Sequence, residues 1–280
     1  PSPCDSLDQL LSRFEYKKGV LDTTSEKVVL RVPVQRTHCC HSGGSVEFGA
    51  DGLLYLSTGD NTSSKASDGY SPLDERPGRG PFDSQKSSGN MNDLRGKILR
   101  IKVTPEGGYE IPEGNLFADG KGGKPEIYVL GVRNPFRIAI DPWTKYLYWG
   151  DVGPDVGEDG RYGPQSYDEW NQAMTAGNYG WPYFVGDNFA YPDRNFATDE
   201  VGELFNPKAP INASPNNTGA RELPPARPAL IWYPYGPSKE FPVLGTGSRS
   251  AMSGPFYDKR QLVPITNSAL PDYYDGKWFI

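Results

Sequence analysis

Two histidines, an Arg-Asn pair and a dense acidic stretch carry most of the chemistry that the residue types of this chain allow. His41 enters a strand-like run behind the small residues Ser42-Gly43-Gly44. An imidazole there can turn toward a ligand, and its ordinary pKa of about 6.5 suits a general base. A histidine that only caps a loop has the same sequence environment. His38-x-x-His41 has the outline of a metal pair, but no third nitrogen or thiolate stands at a zinc spacing. Arg133-Asn134 precedes a second strand-like run, with no phosphate-cradling glycine loop or dinucleotide fingerprint around it. That guanidinium therefore suits an organic anion other than a nucleotide. Between Asp141 and Trp170 stand Asp141, Asp151, Asp155, Glu158, Asp159, Asp168 and Glu169 against Lys145 and Arg161. Carboxylates among Gly and Pro, whose carbonyls can turn inward, suit a hard cation such as calcium, although no EF-hand loop is present. A solvated acidic loop has the same composition.

These residues are positioned by two similar hairpins. Residues 128–155, YVLGVRNPFRIAIDPWTKYLYWGDVGPD, hold strand-like runs at Phe136–Ile140 and Tyr146–Trp149 joined by a polar, Pro-containing turn. Ser45–Phe48 and Leu53–Thr58, joined around Asp51-Gly52, repeat the pattern about 90 residues earlier. Asp60 and Asp151 occupy corresponding exits of the two copies. Such repetition predicts a closed all-β array such as a propeller.

Further strands are expected at Arg13–Lys17, Lys27–Val34, Lys97–Val103, Ile127–Leu130, Ala229–Tyr233, Met252–Tyr257 and Leu262–Thr266. Lys18-Gly19 and Asp22–Ser25 are read as turns, and the Lys and Arg of Lys97–Val103 are expected to alternate outward. Tyr167–Ala176 is the best helix candidate, with Gly177 as its stop. Thr62–Asn92 is too long and polar for a plain connection, so a functional or inserted loop is expected. The chain stops at Lys277–Ile280 in what reads as a strand.

Composition supports this outline. With 33 Gly, 27 Pro and abundant Tyr, Phe and Trp, many short strands and ordered loops are expected, not disorder. A formal charge of -6 argues against a nucleic-acid partner. No apolar run reaches the roughly 18 residues of a membrane span. Cys4, Cys39 and Cys40 make no disulfide framework and leave the redox compartment open.

Taken together, HSGGSVEFGADGLLYLSTGDN (His41–Asn61), NDLRGKILRI (Asn92–Ile101), LGVRNPFRIAIDP (Leu130–Pro142), GDVGPD (Gly150–Asp155), YDEWN (Tyr167–Asn171) and GNYGWP (Gly177–Pro182) resemble the soluble quinoprotein sugar dehydrogenases of the glucose/sorbosone dehydrogenase family. The motifs occur in the family's order and cover residues from about 41 to 188. The resemblance implies an all-β, six-bladed β-propeller carrying pyrroloquinoline quinone (PQQ) and calcium, which oxidises aldose sugars to lactones and passes electrons to an external acceptor. It assigns His41 as general base and cofactor contact, with Asp60 orienting it, Arg133 as the cofactor-binding cation that polarises the quinone oxygen gaining negative charge, and Asn134 as a further cofactor-binding group. It assigns the carbonyls of Gly153 and Pro154 to a catalytic calcium, and Glu169, Tyr179 and Asp187 to a second, structural one.

The family's further PQQ-binding lysine and arginines are not matched. Residues 1–280 are therefore expected to be a partial propeller domain truncated at both ends, its remaining blades coming from a longer polypeptide or another chain. Two other functions are compatible with the sequence: a non-catalytic propeller binding module, and a calcium-dependent lactone hydrolase, which would have no use for Arg133-Asn134. The family's enzymes work outside the cytoplasm, so a periplasmic or secreted location is expected.

Overall fold

A computed structural model describes residues 6–39, 41–261 and 269–280. The described chain is nearly all β, with only short 3-10 turns as helix. Strands β1 (Ser6–Lys17) and β2 (Val20–Gln35) form a long hairpin around Lys18-Gly19, both of which have positive φ. Strands β3 (Gly43–Phe48), β4 (Leu54–Thr58), β5 (Lys97–Val103), β6 (Tyr109–Glu110) and β7 (Ile127–Leu130) build the first sheet. Strands β8 (Pro135–Ile140), β9 (Leu147–Asp151) and β10 (Asp168–Ala173) begin the second. Then come β11 (Gly177–Asn178), the pair β12 (Phe184–Val185) and β13 (Phe189–Ala190), the pair β14 (Pro192–Asn195) and β15 (Glu200–Leu204), and β16 (Ile231–Tyr233).

The first sheet runs β11-β7-β5-β4-β3 and the second β16-β10-β9-β8. Their edge strands β3 and β8 lie side by side, stitched by Ile138 N donating to Ser45 Oγ at 3.3 Å. The all-β expectation holds. Two sheets meeting along their first strands are neighbouring blades of a partial propeller, and the described residues do not close a ring. The core lies between and beneath these blades. Ile98, Val129, Leu147 and Trp149 are buried between the sheets, while Leu56, Leu99, Ile127 and Tyr183 pack on the other face of the first.

Several expectations need correction. Tyr167–Ala176 is not a helix: residues 168–173 are β10, paired antiparallel with both β9 and β16. Good helix formers such as Glu169, Gln172 and Ala173 are overridden by the sheet on either side and by Trp170, which stacks on Tyr233 at 4.8 Å. Gly177 accordingly begins β11 and stops no helix. Asp22–Ser25 lies within β2, where the Asp22 carboxylate accepts from the Thr24 amide and hydroxyl. Lys97 and Arg100 do not point outward, because both are buried. Met252–Tyr257 and Lys277–Ile280 contribute an isolated bridge, Phe256 to Trp278, and no strand. The expected Leu262–Thr266 strand, Cys4 and Cys40 lie outside the described residues. Cys39 is disulfide-bonded.

Candidate active site

Each hairpin delivers one reactive group at its entry and one carboxylate at its exit. His41 precedes β3 with a φ of 52°, an uncommon conformation for a residue with a side chain. It is tolerated because the chain opposite is Gly59, where a Cβ would lie 2.0 Å from the His41 carbonyl oxygen. Asn61 N closes the loop by donating to that oxygen at 3.2 Å. The turned imidazole places Nδ1 2.7 Å from Asp60 Oδ1.

Asp60 is wholly buried and its two oxygens are well supplied. Oδ1 also accepts from Thr62 N at 3.0 Å, and Oδ2 accepts from Ser84 Oγ at 2.7 Å and Trp181 Nε1 at 2.8 Å. Burial pushes this carboxyl up, but the His41 ring and then the Arg133 guanidinium outweigh it and hold it at about 2. An ionised carboxylate at Nδ1 favours the tautomer with its proton there, which leaves Nε2 as the acceptor.

In the second hairpin the carboxylate grips backbone. Asp151 accepts from the amides of Arg133 at 2.9 Å and Asn134 at 2.6 Å. The Arg133 guanidinium donates to Val152 O at 2.8 Å and stands 5.8 Å from the centre of the Trp181 ring. The Asn134 carboxamide oxygen accepts from Gly43 N at 3.3 Å, and Asp60 N donates to Arg133 O at 2.8 Å. These two bonds lock the hairpins in register.

His41 and Arg133 line one cavity of about 10 Å³ together with Ser64, Gly69, Tyr70 and Pro154. It has room for about one water. The segment 64–72 of the expected functional loop forms one wall, held by the amides of Asp155 and Val156 donating to Gly69 O, each at 3.1 Å. An imidazole acceptor facing a guanidinium suits an anionic, electrophilic organic group.

Behind this cavity lies a second of similar size, lined by Arg133, Asp151, Gly153, Pro154, Glu169 and Tyr179 among others. Four of the five residues expected at metals thus meet in one place. Asp187 does not join them, because it is exposed in the turn between β12 and β13. Glu169 and Asp151 are directly opposite in the β9–β10 register, a costly position for like charges. Burial pushes Glu169 up to about 8 and Asp151 up to about 7; the Asp151 carboxylate adds to the shift of Glu169, and Asp60 adds to that of Asp151. Glu169 Oε1 accepts from Gly186 N at 2.5 Å and Oε2 from Asn171 Nδ2 at 3.1 Å.

The Gly153–Pro154 carbonyls do not fit the catalytic calcium in the same way. The Pro154 oxygen is occupied by Arg249, whose Nη2 donates to it at 2.9 Å. Among the described residues, no group of three or more His, Cys, Asp and Glu side chains is arranged to hold a metal.

Sequence reading missed Ser84, Trp181 and Arg249 as parts of the site. Trp181 stands within GNYGWP, and that motif is its only signal. Ser84 and Arg249 have no local signal, because Ser84 meets Asp60 across 24 residues and Arg249 meets Ser166 and Pro154 across 83 and 95.

Residues 5–219 match the family described as Glucose / Sorbosone dehydrogenase, and the chain belongs to that family. It is 29% identical over 184 residues to the HIPL1 protein of Arabidopsis thaliana, covering 61% of this chain and 23% of that protein. It is 30% identical over 142 residues to the aldose sugar dehydrogenase YliI of Escherichia coli (51% and 29%). It is 27% identical over 190 residues to quinoprotein glucose dehydrogenase B of Acinetobacter calcoaceticus (67% and 35%). The matches thus span about a quarter to a third of these relatives. Among solved structures, the apo-form soluble aldose sugar dehydrogenase of Escherichia coli aligns with a TM-score of 0.47 and 20% identity, over 86% of this chain and 58% of that one.

Proposed function

We propose that this chain contributes the catalytic face of a PQQ-dependent enzyme that oxidises aldose sugars to lactones. The observation that carries this reading is the single cavity shared by His41 and Arg133, with His41 Nδ1 anchored on ionised Asp60. His41 Nε2 takes the proton of the anomeric hydroxyl, which makes departure of the hydride from the same carbon easier. PQQ, when bound, supplies the quinone that accepts that hydride. Arg133 holds its position through Val152 O and presents a fixed positive charge where negative charge develops. Asn134, whose carboxamide oxygen accepts from Gly43 N, would help hold the cofactor through its amide nitrogen. Asp60 keeps the tautomer of His41 and stabilises the imidazolium, as a buried carboxylate does for a catalytic histidine.

In the same reading Glu169 and Tyr179 would be the side chains that hold a structural calcium, with the Glu169 carboxyl, raised to about 8 by burial, giving up its proton to the ion. Electrons leave to an external acceptor. A periplasmic or secreted location is supported by the disulfide at Cys39. Among the described residues no helix is long and apolar enough to cross a membrane.

The reading is tested by aldose-dependent reduction of a dye by the purified protein with PQQ. His41→Ala is expected to lower turnover by about a hundredfold or more while PQQ binding, followed by absorbance, persists. A variant that turns over like the parent would remove His41 from the mechanism. The alternative is a non-catalytic binding module, and absence of dye reduction across a sugar panel would select it.

A further inference from the structure

Arg249 lies in the segment entering Ala251, which packs against β9 so closely that a Cβ at Gly150 would be 2.5 Å from the Ala251 carbonyl. Its side chain is only 2% exposed. Nη1 donates to Ser166 O at 2.7 Å and Tyr233 O at 3.2 Å, and Nη2 to Ser166 Oγ at 2.7 Å and Pro154 O at 2.9 Å. The ring of Tyr235 faces the guanidinium at 3.7 Å. Nε stands 3.7 Å from Asp168 Oδ1, and Asp168 accepts from Gly153 N at 3.0 Å and Ala251 N at 2.8 Å. The 153–154 loop is therefore held twice, by a carboxylate on its amide and by a cation on its carbonyl.

We propose that Arg249 is the resident cation of the Gly153–Pro154 loop, standing in for the calcium that the family resemblance expects there. A calcium ligand must direct an oxygen lone pair at the ion from 2.3–2.6 Å. The Pro154 oxygen is instead directed at a buried guanidinium. A divalent ion on the same carbonyl would meet that positive charge at close range in a poorly solvated place. Unlike a bound ion, the guanidinium does not dissociate, so the loop stays ordered whatever the calcium concentration. Arg249 is thus a positioning residue: it fixes Pro154, which lines the cavities of both His41 and Glu169.

This inference rests on the proposed function only for where the ion would sit, and its test uses neither sugar nor quinone. Chelator-stripped protein is dialysed against calcium chloride, and bound ions are counted for the parent, Arg249→Ala and Arg249→Lys. Arg249→Ala is expected to bind one more calcium per chain than the parent, and to gain more in melting temperature on adding calcium. Arg249→Lys, which keeps the charge, is expected to behave like the parent. Independently of any variant, the Pro154 carbonyl-carbon NMR resonance of the parent is expected to stay in place as calcium is added. A calcium-dependent shift of that resonance, or equal ion counts in the parent and a folded Arg249→Ala protein, would overturn the proposal.

Discussion

Replacing Lys97 by Met should change the way stability depends on pH, as well as its size. Lys97 is wholly buried, and its ammonium donates to the carbonyls of Ser87 at 2.8 Å, Ser88 at 3.1 Å and Arg95 at 2.7 Å. Burial pulls its pKa down, against the opposing pull of Asp93, to about 7. In the unfolded chain a lysine titrates near 10.4. Between those values the unfolded protein holds a proton that the folded protein lacks, so stability rises with pH by up to about 1.4 kcal/mol per unit. Below the folded value both states are protonated and the cost of burying the charge is felt in full. A methionine at this position has no proton to exchange. It leaves three carbonyls without their donor, at about 1–3 kcal/mol for a buried group left unpaired.

The parent is therefore expected to exceed Lys97→Met in stability by a few kcal/mol at pH 9 and by progressively less toward pH 6. Urea unfolding followed by tryptophan fluorescence at four pH values reads the difference, in which all other titrating groups cancel. Parallel curves across that range would refute the argument. The consequence reaches the site, because Lys97 holds the segment that presents Ser84 to Asp60.

Asp60→Asn should leave the fold intact but release the imidazole tautomer, lowering turnover by about 10²- to 10⁴-fold; an unchanged rate in the sugar assay would show that His41 needs no orienting partner. Glu169→Gln should flatten stability between about pH 4 and 8. The raised carboxyl of the parent stabilises the fold below its unfolded value, and that contribution disappears as pH climbs through about 8. With calcium chelated, the variant should match the parent near pH 4 and exceed it by a few kcal/mol near pH 8. Chemical denaturation at those two values decides it.

Much of the scaffold was legible because its signals are local. Alternating apolar residues around Asp51-Gly52 and the repeat around Pro142 located β3, β4, β8 and β9 with every end within two residues. The same repeat put His41 and Arg133 at equivalent strand entries, which is why they end at one cavity. What could not be read depends on distant partners. The run Tyr167–Ala176 carries the helix formers Glu169, Gln172, Ala173 and Met174, and only the strands on both its sides make it β10. Lys97 reads as an outward position in an alternating strand until the carbonyls of residues 87, 88 and 95 converge on it. Arg249 is one arginine in a loop until Ser166, Tyr233 and Pro154 gather round it.

Asp151 holds the main chain at 133 and 134 and makes no bond to either side chain. A descendant of this protein that exchanged Arg133 or Asn134 would still inherit amides for Asp151 to grip, and the entry of β8 would be delivered to the same spot. Chemistry and architecture are separable at this lip of the pocket. A lineage can change those side chains and keep the hollow, ready to be refitted for recognising something else.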